Sequence, residues 1–170
     1  MTYRHQPVML SEVLSVLSPR PGQIYIDCTL GGAGYTLALA AAVGKKGKVL
    51  AIDADSLAIA NAERIIKEKK IKNIVLVHDN FKNLAAISNA YLKSSADGIV
   101  FDLGLSSAQL DDENRGFSFQ GDRPLDMAFG AGADIETAAL LNRASLSELT
   151  RIFRELGEEP QAYRLAKEIV

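Results

Sequence analysis

Four short apolar runs in this sequence each end in residues suited to binding or acid–base chemistry. The first, Gln23–Cys28, carries Asp27 and leads into Leu30-Gly31-Gly32-Ala33-Gly34-Tyr35. Glycines at such a turn let the backbone approach a ligand closely and adopt positive φ; a plain strand–helix turn has the same composition. The second run, Lys48–Asp53, ends on a carboxylate able to accept both hydroxyls of a ribose. A surface turn acid is the alternative there, and is the reading given to Asp55. The third, Asn73–His78, continues as Asp79-Asn80-Phe81. Phe81 offers a face for an adenine ring and Asp79 an acceptor for its amine, with an ordinary core phenylalanine as the rival. The fourth, Gly98–Leu103, contains Asp102.

The ligand can be narrowed by charge. A dinucleotide turn reads G-x-G-x-x-G, its third small residue packing helix on strand. Here Gly32-Ala33-Gly34-Tyr35-Thr36-Leu37 puts leucine at that place, and no lysine follows as in a triphosphate loop. Asp27 would repel a pyrophosphate and attract a cation, such as the sulfonium and amino group of S-adenosylmethionine. An NAD-dependent oxidoreductase is the less favoured rival. Cys28 has no basic neighbour to lower its pKa and reads as a structural thiol, not a nucleophile. His5 and His78 have no metal-ligand spacing, so no metal is expected.

The elements that must hold these residues follow from periodicity. Leu10, Val13, Leu14 and Leu17 form the stripe of an opening helix, ended by Pro19, Pro21 and Gly22. Helices are predicted over Tyr35–Val43, over Leu57–Lys69 with Ser56 as its cap, and over Leu84–Leu92. Continuous apolar strands alternating with helices indicate a parallel sheet covered on both faces, a doubly wound α/β layer. Gly104–Ala133 has no regular pattern, and such a stretch in a compact chain is usually functional or disordered. Three helices follow. Asp134 caps the first, and Ser145 with Glu148 forms a capping box for the second. That second helix carries a Leu146, Leu149, Ile152, Phe153, Leu156 stripe and stops at Gly157. The third opens at Pro160 with Leu165, Ala166, Ile169 and Val170 on one side.

The 170 residues suit one domain, with 48% hydrophobic and 24% charged residues. A net charge of −2 gives no support for nucleic-acid binding through bulk charge, so an RNA partner needs a local site. One cysteine allows no intrachain disulfide and points to a reducing compartment. No secretory signal or membrane span is visible in the pattern.

The fourth run carries a more specific signal. Asp102-Leu103-Gly104-Leu105-Ser106-Ser107, then Gln109-Leu110-Asp111-Asp112 and Arg115-Gly116-Phe117-Ser118-Phe119, resembles the ribosomal RNA small subunit methyltransferase H family. So do His5-Gln6-Pro7-Val8-Met9-Leu10, the Asp27–Gly34 turn, Pro124-Leu125-Asp126-Met127 and Gly157-Glu158-Glu159. Those enzymes are bacterial S-adenosylmethionine-dependent methyltransferases of the N4 amine of a cytidine in 16S rRNA. The resemblance implies a Rossmann-like class I methyltransferase fold with its first four strands present, followed by the start of a helical insertion. It implies a cofactor core at 1–105, a substrate loop at 106–133 and an insertion subdomain from 134–170. The family continues beyond that insertion to complete its sheet, so the chain is expected to be truncated.

The resemblance also implies that Ala33, Gly34 and Tyr35 line the methionine end of the cofactor. It assigns Asp53 to the ribose, Phe81 to the adenine, and Asp102 and Gln109 to further cofactor contacts. It departs at Tyr35, where the family has histidine and a titratable nitrogen is lost. Cytosine N4 is a weak nucleophile that must be held in line with the methyl group and have its N–H polarised. Asp102 is the candidate catalytic carboxylate, with contact to the cofactor amine as its other role. Ser106 and Ser107 read either as partners of a flipped base or as a turn. Arg115, Arg123, Phe117 and Phe119 read as RNA contacts or as a loop folded on its own rings. The implied partner is the small ribosomal subunit, in the cytoplasm; a cofactor-binding module without activity is the alternative.

Overall fold

The computed structural model describes residues 9–105, 116–117, 125–127 and 137–170. These fall into two compact units, the first holding 9–105 and the second the remainder.

The first unit is a four-stranded parallel sheet flanked by helices. Its elements are α1 (Leu10–Leu17), β1 (Ile24–Asp27), α2 (Gly34–Val43), β2 (Lys48–Asp53), α3 (Ser56–Lys69), β3 (Ile74–His78), α4 (Leu84–Tyr91) and β4 (Gly98–Val100). The strand order is β3-β2-β1-β4, with Ile24 opposite Lys48, Tyr25 opposite Gly98 and Val49 opposite Ile74. Alternation along each strand sends side chains to two faces. Tyr25 and Val49 pack with Leu39 and Val43 of α2, and the α1 stripe of Leu10, Val13, Leu14 and Leu17 leans on them. Ala51 meets Ala62 of α3. On the opposite face Ile26, Leu50, Ile52 and Val77 pack with Ile87 of α4 and with Leu92. Both faces are covered over β1 and β2, which is why these strands read as unbroken apolar runs, whereas on β4 Ile99 is exposed. The α2 sequence is apolar on all sides because the helix is itself mostly enclosed.

Several boundaries differ from the sequence reading. The α3 cap is Asp55, not Ser56: the chain stays extended through Asp55, whose carboxylate accepts the Leu57 N–H at 2.9 Å. Asp55 is therefore buried rather than a surface turn acid. A 3-10 turn over Phe81–Asn83 precedes α4. Strand β4 ends at Val100, three residues early, because the next inward amide, that of Asp102, donates to the Thr29 hydroxyl at 2.7 Å instead of joining the ladder.

The second unit contains α5 (Thr137–Arg143), α6 (Leu146–Glu155) and α7 (Ala162–Ile169). Leu125 and Asp126 carbonyls accept hydrogen bonds from the Ala138 amide and the Thr137 hydroxyl, satisfying donors at the start of α5. Ser145 Oγ accepts the Glu148 N–H at 3.2 Å, as the capping box predicts. The residue with positive φ after α6 is Glu158, at 49°, not Gly157. Gly157 is needed for space, since a Cβ there would sit 2.9 Å from the Phe153 carbonyl oxygen. Leu156 lies past the helix and is exposed. α7 starts at Ala162, two residues after Pro160, and packs on α6 through Ala162 and Ala166, with Leu149 facing them. Of the four residues read as lying on one side of it, Ala166 is buried while Leu165, Ile169 and Val170 are exposed. The Asp134 cap lies outside the described residues. No described helix is long and apolar enough to cross a membrane.

Asn73 joins two loops at the amino edge of the sheet, its amide donating to the carbonyls of Ala40 (2.8 Å) and Gly44 (2.9 Å) at the end of α2. Asn73→Ala leaves both carbonyls without that donor and is expected to cost about 1–3 kcal/mol. A lowered urea midpoint checks this; an unchanged midpoint would contradict it.

Candidate functional site

The carboxyl ends of β1, β2 and β4 converge on the turn before α2. Asp27 has no exposed surface. One of its oxygens accepts the Thr36 hydroxyl at 2.6 Å and the other accepts the Thr29 amide at 3.1 Å, so the carboxylate ties the strand end to the first turn of α2. Burial first, then the charges of Asp53 and Asp102, push its pKa above the ordinary carboxylate value, against the lowering by Thr36 and Thr29. Within the turn Gly31 has φ 46° and Ala33 has φ 66°. The left-handed conformation is unfavourable for alanine, a strain typical of ligand sites.

Asp53 fixes the same turn from the neighbouring strand. Its oxygens accept the Gly31 amide at 2.8 Å and the Asp55 amide at 2.9 Å. Burial raises its pKa, and the charge of Asp55 adds to this; the two amides and the His78 ring pull it down. A carboxylate has about four lone-pair sites, so two remain. That is the capacity a vicinal diol requires.

The β3 end is tied in by the Asp79 amide, which donates to the Asp53 carbonyl at 3.1 Å. Asp79 Oδ1 is engaged by the Asn80 amide and the Asn83 side chain. Phe81 is 41% exposed and is not a core residue. Its ring stands edge-on to Phe101, with centroids 5.6 Å apart and planes at 88°. Phe101 is 47% exposed, so the pair forms an open aromatic corner able to take a planar ring.

The structure therefore brings Asp27, Asp53 and Asp102 into electrostatic reach around the Ala33–Gly34 turn. Three carboxylates suit a cationic ligand and oppose a phosphate. Tyr35 lies in the core with Tyr25 and Leu39. Burial first, then Asp102, Asp27 and Glu12, push its hydroxyl above the usual phenol value. Cys28 is buried, its thiol pushed up to about 11 by burial and by Asp27, unsuited to nucleophilic attack. Among the described residues no group of three His, Cys, Asp or Glu could hold a metal. Ser106, Ser107, Gln109, Arg115, Phe119 and Arg123 lie outside the described residues. Sequence reasoning missed Thr29, Thr36 and Phe101. The two threonines flank the glycine turn as hydroxyl donors or acceptors, and Phe101 immediately precedes Asp102; those positions were the available signal.

The raised pKa of Asp27 has a definite sign. The protonated form favours the folded chain, so its contribution is complete below the unfolded value near 3.8 and is lost as pH rises through the folded value. Asp27→Asn removes the charge, keeps one oxygen to accept the Thr29 amide, and places an NH2 that donates to the Thr36 hydroxyl in place of the second acceptor. The melting temperature of wild type relative to Asp27→Asn is expected to fall as pH rises from 3.5 to 8; a difference constant with pH would refute this.

A family model described as the MraW methylase family matches residues 2–170. Ribosomal RNA small subunit methyltransferase H of Thermomicrobium roseum is 46% identical over 166 residues, covering 98% of this chain and 51% of that protein. The protein of the same name from Dehalococcoides mccartyi is 44% identical over 168 residues, covering 99% and 48%. The chain thus spans about half the length of the curated relatives it matches. A crystal structure from Clostridium thermocellum, described provisionally as an rRNA-methylase, aligns with TM-score 0.52 at 23% identity over 61% of this chain and 55% of that one. A Streptococcus mutans structure, described provisionally as a methyltransferase and in complex with SAH, aligns with TM-score 0.51 at 19% identity over 84% and 69%. These two establish the Rossmann-like fold, while the sequence match establishes kinship: the chain belongs to the MraW methylase family.

Proposed function

We propose that the chain binds S-adenosylmethionine over the Gly31–Gly34 turn and serves methyl transfer to the N4 amine of a cytidine in 16S rRNA. The observation that carries this is the convergence of Asp27, Asp53 and Asp102 beside an exposed aromatic corner. Membership of the MraW family supports the reaction class, and its relatives' names support the ribosomal RNA substrate. In this reading residues 1–105 are the cofactor core, 106–133 the substrate loop and 134–170 the start of a helical insertion, in a cytoplasmic protein.

S-adenosylmethionine supplies an electrophilic methyl group on a sulfonium centre. The chain's own residues do the rest. Asp53 accepts the two ribose hydroxyls with its remaining lone pairs. Phe81 and Phe101 hold the adenine. The Ala33 and Gly34 backbone forms the wall at the methionine end, with Tyr35 in the core behind it and Gln109 as a further contact. Asp27 acts through its field, since both its oxygens are engaged inside the protein. Asp102 accepts an N–H, either from the target amine, which sharpens that nitrogen's lone pair, or from the cofactor's amino group. Leu37 packs against Leu30 and Ala33, where a dinucleotide turn needs a small residue; this disfavours NAD.

A second reading, a cofactor-binding portion that cannot transfer methyl by itself, is favoured by the chain's spanning about half of its relatives. Calorimetry and labelled methyl transfer to small ribosomal subunits separate the two. S-adenosylmethionine binding with RNA labelling supports the full activity; binding without labelling supports the second reading. Binding of NAD alone would overturn both. Phe81→Ala is expected to weaken S-adenosylmethionine binding by about 1–3 kcal/mol, the usual worth of a base–aromatic stack. Asp53→Asn is expected to weaken it by at least about 1.5 kcal/mol, one charge-assisted hydrogen bond. Unchanged affinities in calorimetry would contradict these assignments.

A further inference from the structure

The first unit is strongly polarised along its strands. At the carboxyl ends lie Asp27, Asp53, Asp55, Asp79 and Asp102. At the opposite, amino-terminal edge, Lys45 and Lys46 follow α2, and Lys67, Lys69, Lys70 and Lys72 end α3 and lead into β3; all six are exposed. The two loops are one surface, because Asn73 hydrogen-bonds the Ala40 and Gly44 carbonyls. Among the described residues, these lysines form no ion pair. Glu68 is held by Arg64 at 2.9 Å, and Glu63 is the remaining acid on that stretch of α3.

Local structural roles account for only part of this charge. Lys67 and Lys69 sit in the last turn of α3, where cations offset the helix dipole. Lys70 caps the same helix in a left-handed conformation, whereas Lys45, Lys46 and Lys72 lie outside any helix and have no such role. Lys67, Lys70 and Lys72, with Glu63 as the one acid, rim a shallow cavity of about 400 Å³ floored by Ile66, Ile71, Ile74 and Leu76. Apolar ground of this kind carries lysine stems and leaves the ammonium groups in water. Lys45 and Lys46 lie outside it, so the cationic surface is a strip rather than a pocket. A strip suits a polyanionic backbone better than a compact acidic ligand.

We propose that this lysine edge holds the sugar–phosphate backbone of the RNA substrate, away from the nucleotide that is methylated. The inference rests on RNA being the substrate. A chain of net charge −2 whose cofactor end is acidic repels phosphates there, and a cationic surface elsewhere offsets that repulsion. The six residues of β2 separate the two ends by roughly 20 Å, at about 3.3 Å per residue. A folded ribosomal RNA is large enough to reach both ends.

The test is fluorescence anisotropy of this chain with a labelled 16S rRNA transcript, from 50 to 300 mM KCl. The variant is Lys45→Ala/Lys46→Ala/Lys70→Ala/Lys72→Ala, with the four Lys→Arg changes as charge-preserving control. Calorimetry with S-adenosylmethionine reports on the fold and the site. The expected result is at least tenfold weaker RNA binding by the alanine variant. The log–log salt slope should be shallower by about three, at roughly 0.7–0.9 per phosphate contact. The arginine variant and cofactor affinity should match wild type. Wild-type RNA binding retained by the alanine variant would overturn the inference and leave the proposed function standing. Failure of the wild-type chain to bind RNA would overturn both the inference and RNA recognition by this chain.

Discussion

The first unit depends on a carboxylate that has no access to water. Asp27 would be costly to bury alone, and its two hydrogen bonds, to Thr36 and Thr29, are what make its position tolerable. They also bind the end of β1 to the first turn of α2, so the glycine turn between them is held at both ends. Asp53 repeats the device from β2, reaching across to the Gly31 amide. The turn is thus shaped by two acids, and the conformations of Gly31 and Ala33 follow from being gripped this way.

This has an electrostatic consequence. Acids that organise a turn in the protein interior also leave their field in the space above it. Burial and mutual repulsion raise the pKa of Asp27, and a cation in that space would relieve both effects. The same acids that stabilise the turn therefore bias the site towards a sulfonium and an ammonium and against a pyrophosphate. With overall charge near neutral, the compensating lysines collect at the other end of the sheet. Segregation of this kind is invisible in a net charge.

Much of the fold was legible because parallel, doubly covered strands have to be apolar throughout. Ile24–Asp27, Lys48–Asp53 and Ile74–His78 stood out as such, and the helices between them followed from spacing and caps. What was not legible depended on partners distant in sequence. The early end of β4 is decided by the Thr29 hydroxyl, 73 residues away. Asp55 displaced Ser56 as cap because Asp53 draws its amide inward. At the site, Asp53 and Phe81 stood out by being at strand ends. Phe101 did not, because its importance comes from the edge-on contact with Phe81 across the sheet, which no local pattern encodes. In α7 the inward side is marked by alanines rather than by the larger apolar residues, since close packing on α6 leaves room only for small side chains.

The central claim is geometric, that one methyl donor spans the β1 turn, the Asp53 carboxylate and the Phe81–Phe101 corner. A crystal structure of this chain soaked with S-adenosylmethionine tests it most directly. The account predicts density for a ribose within hydrogen-bond distance of both Asp53 oxygens, an adenine against Phe81, and a sulfonium above Gly34. Density for the molecule elsewhere, or a phosphate seated on the Gly31–Gly34 amides in its place, would contradict it.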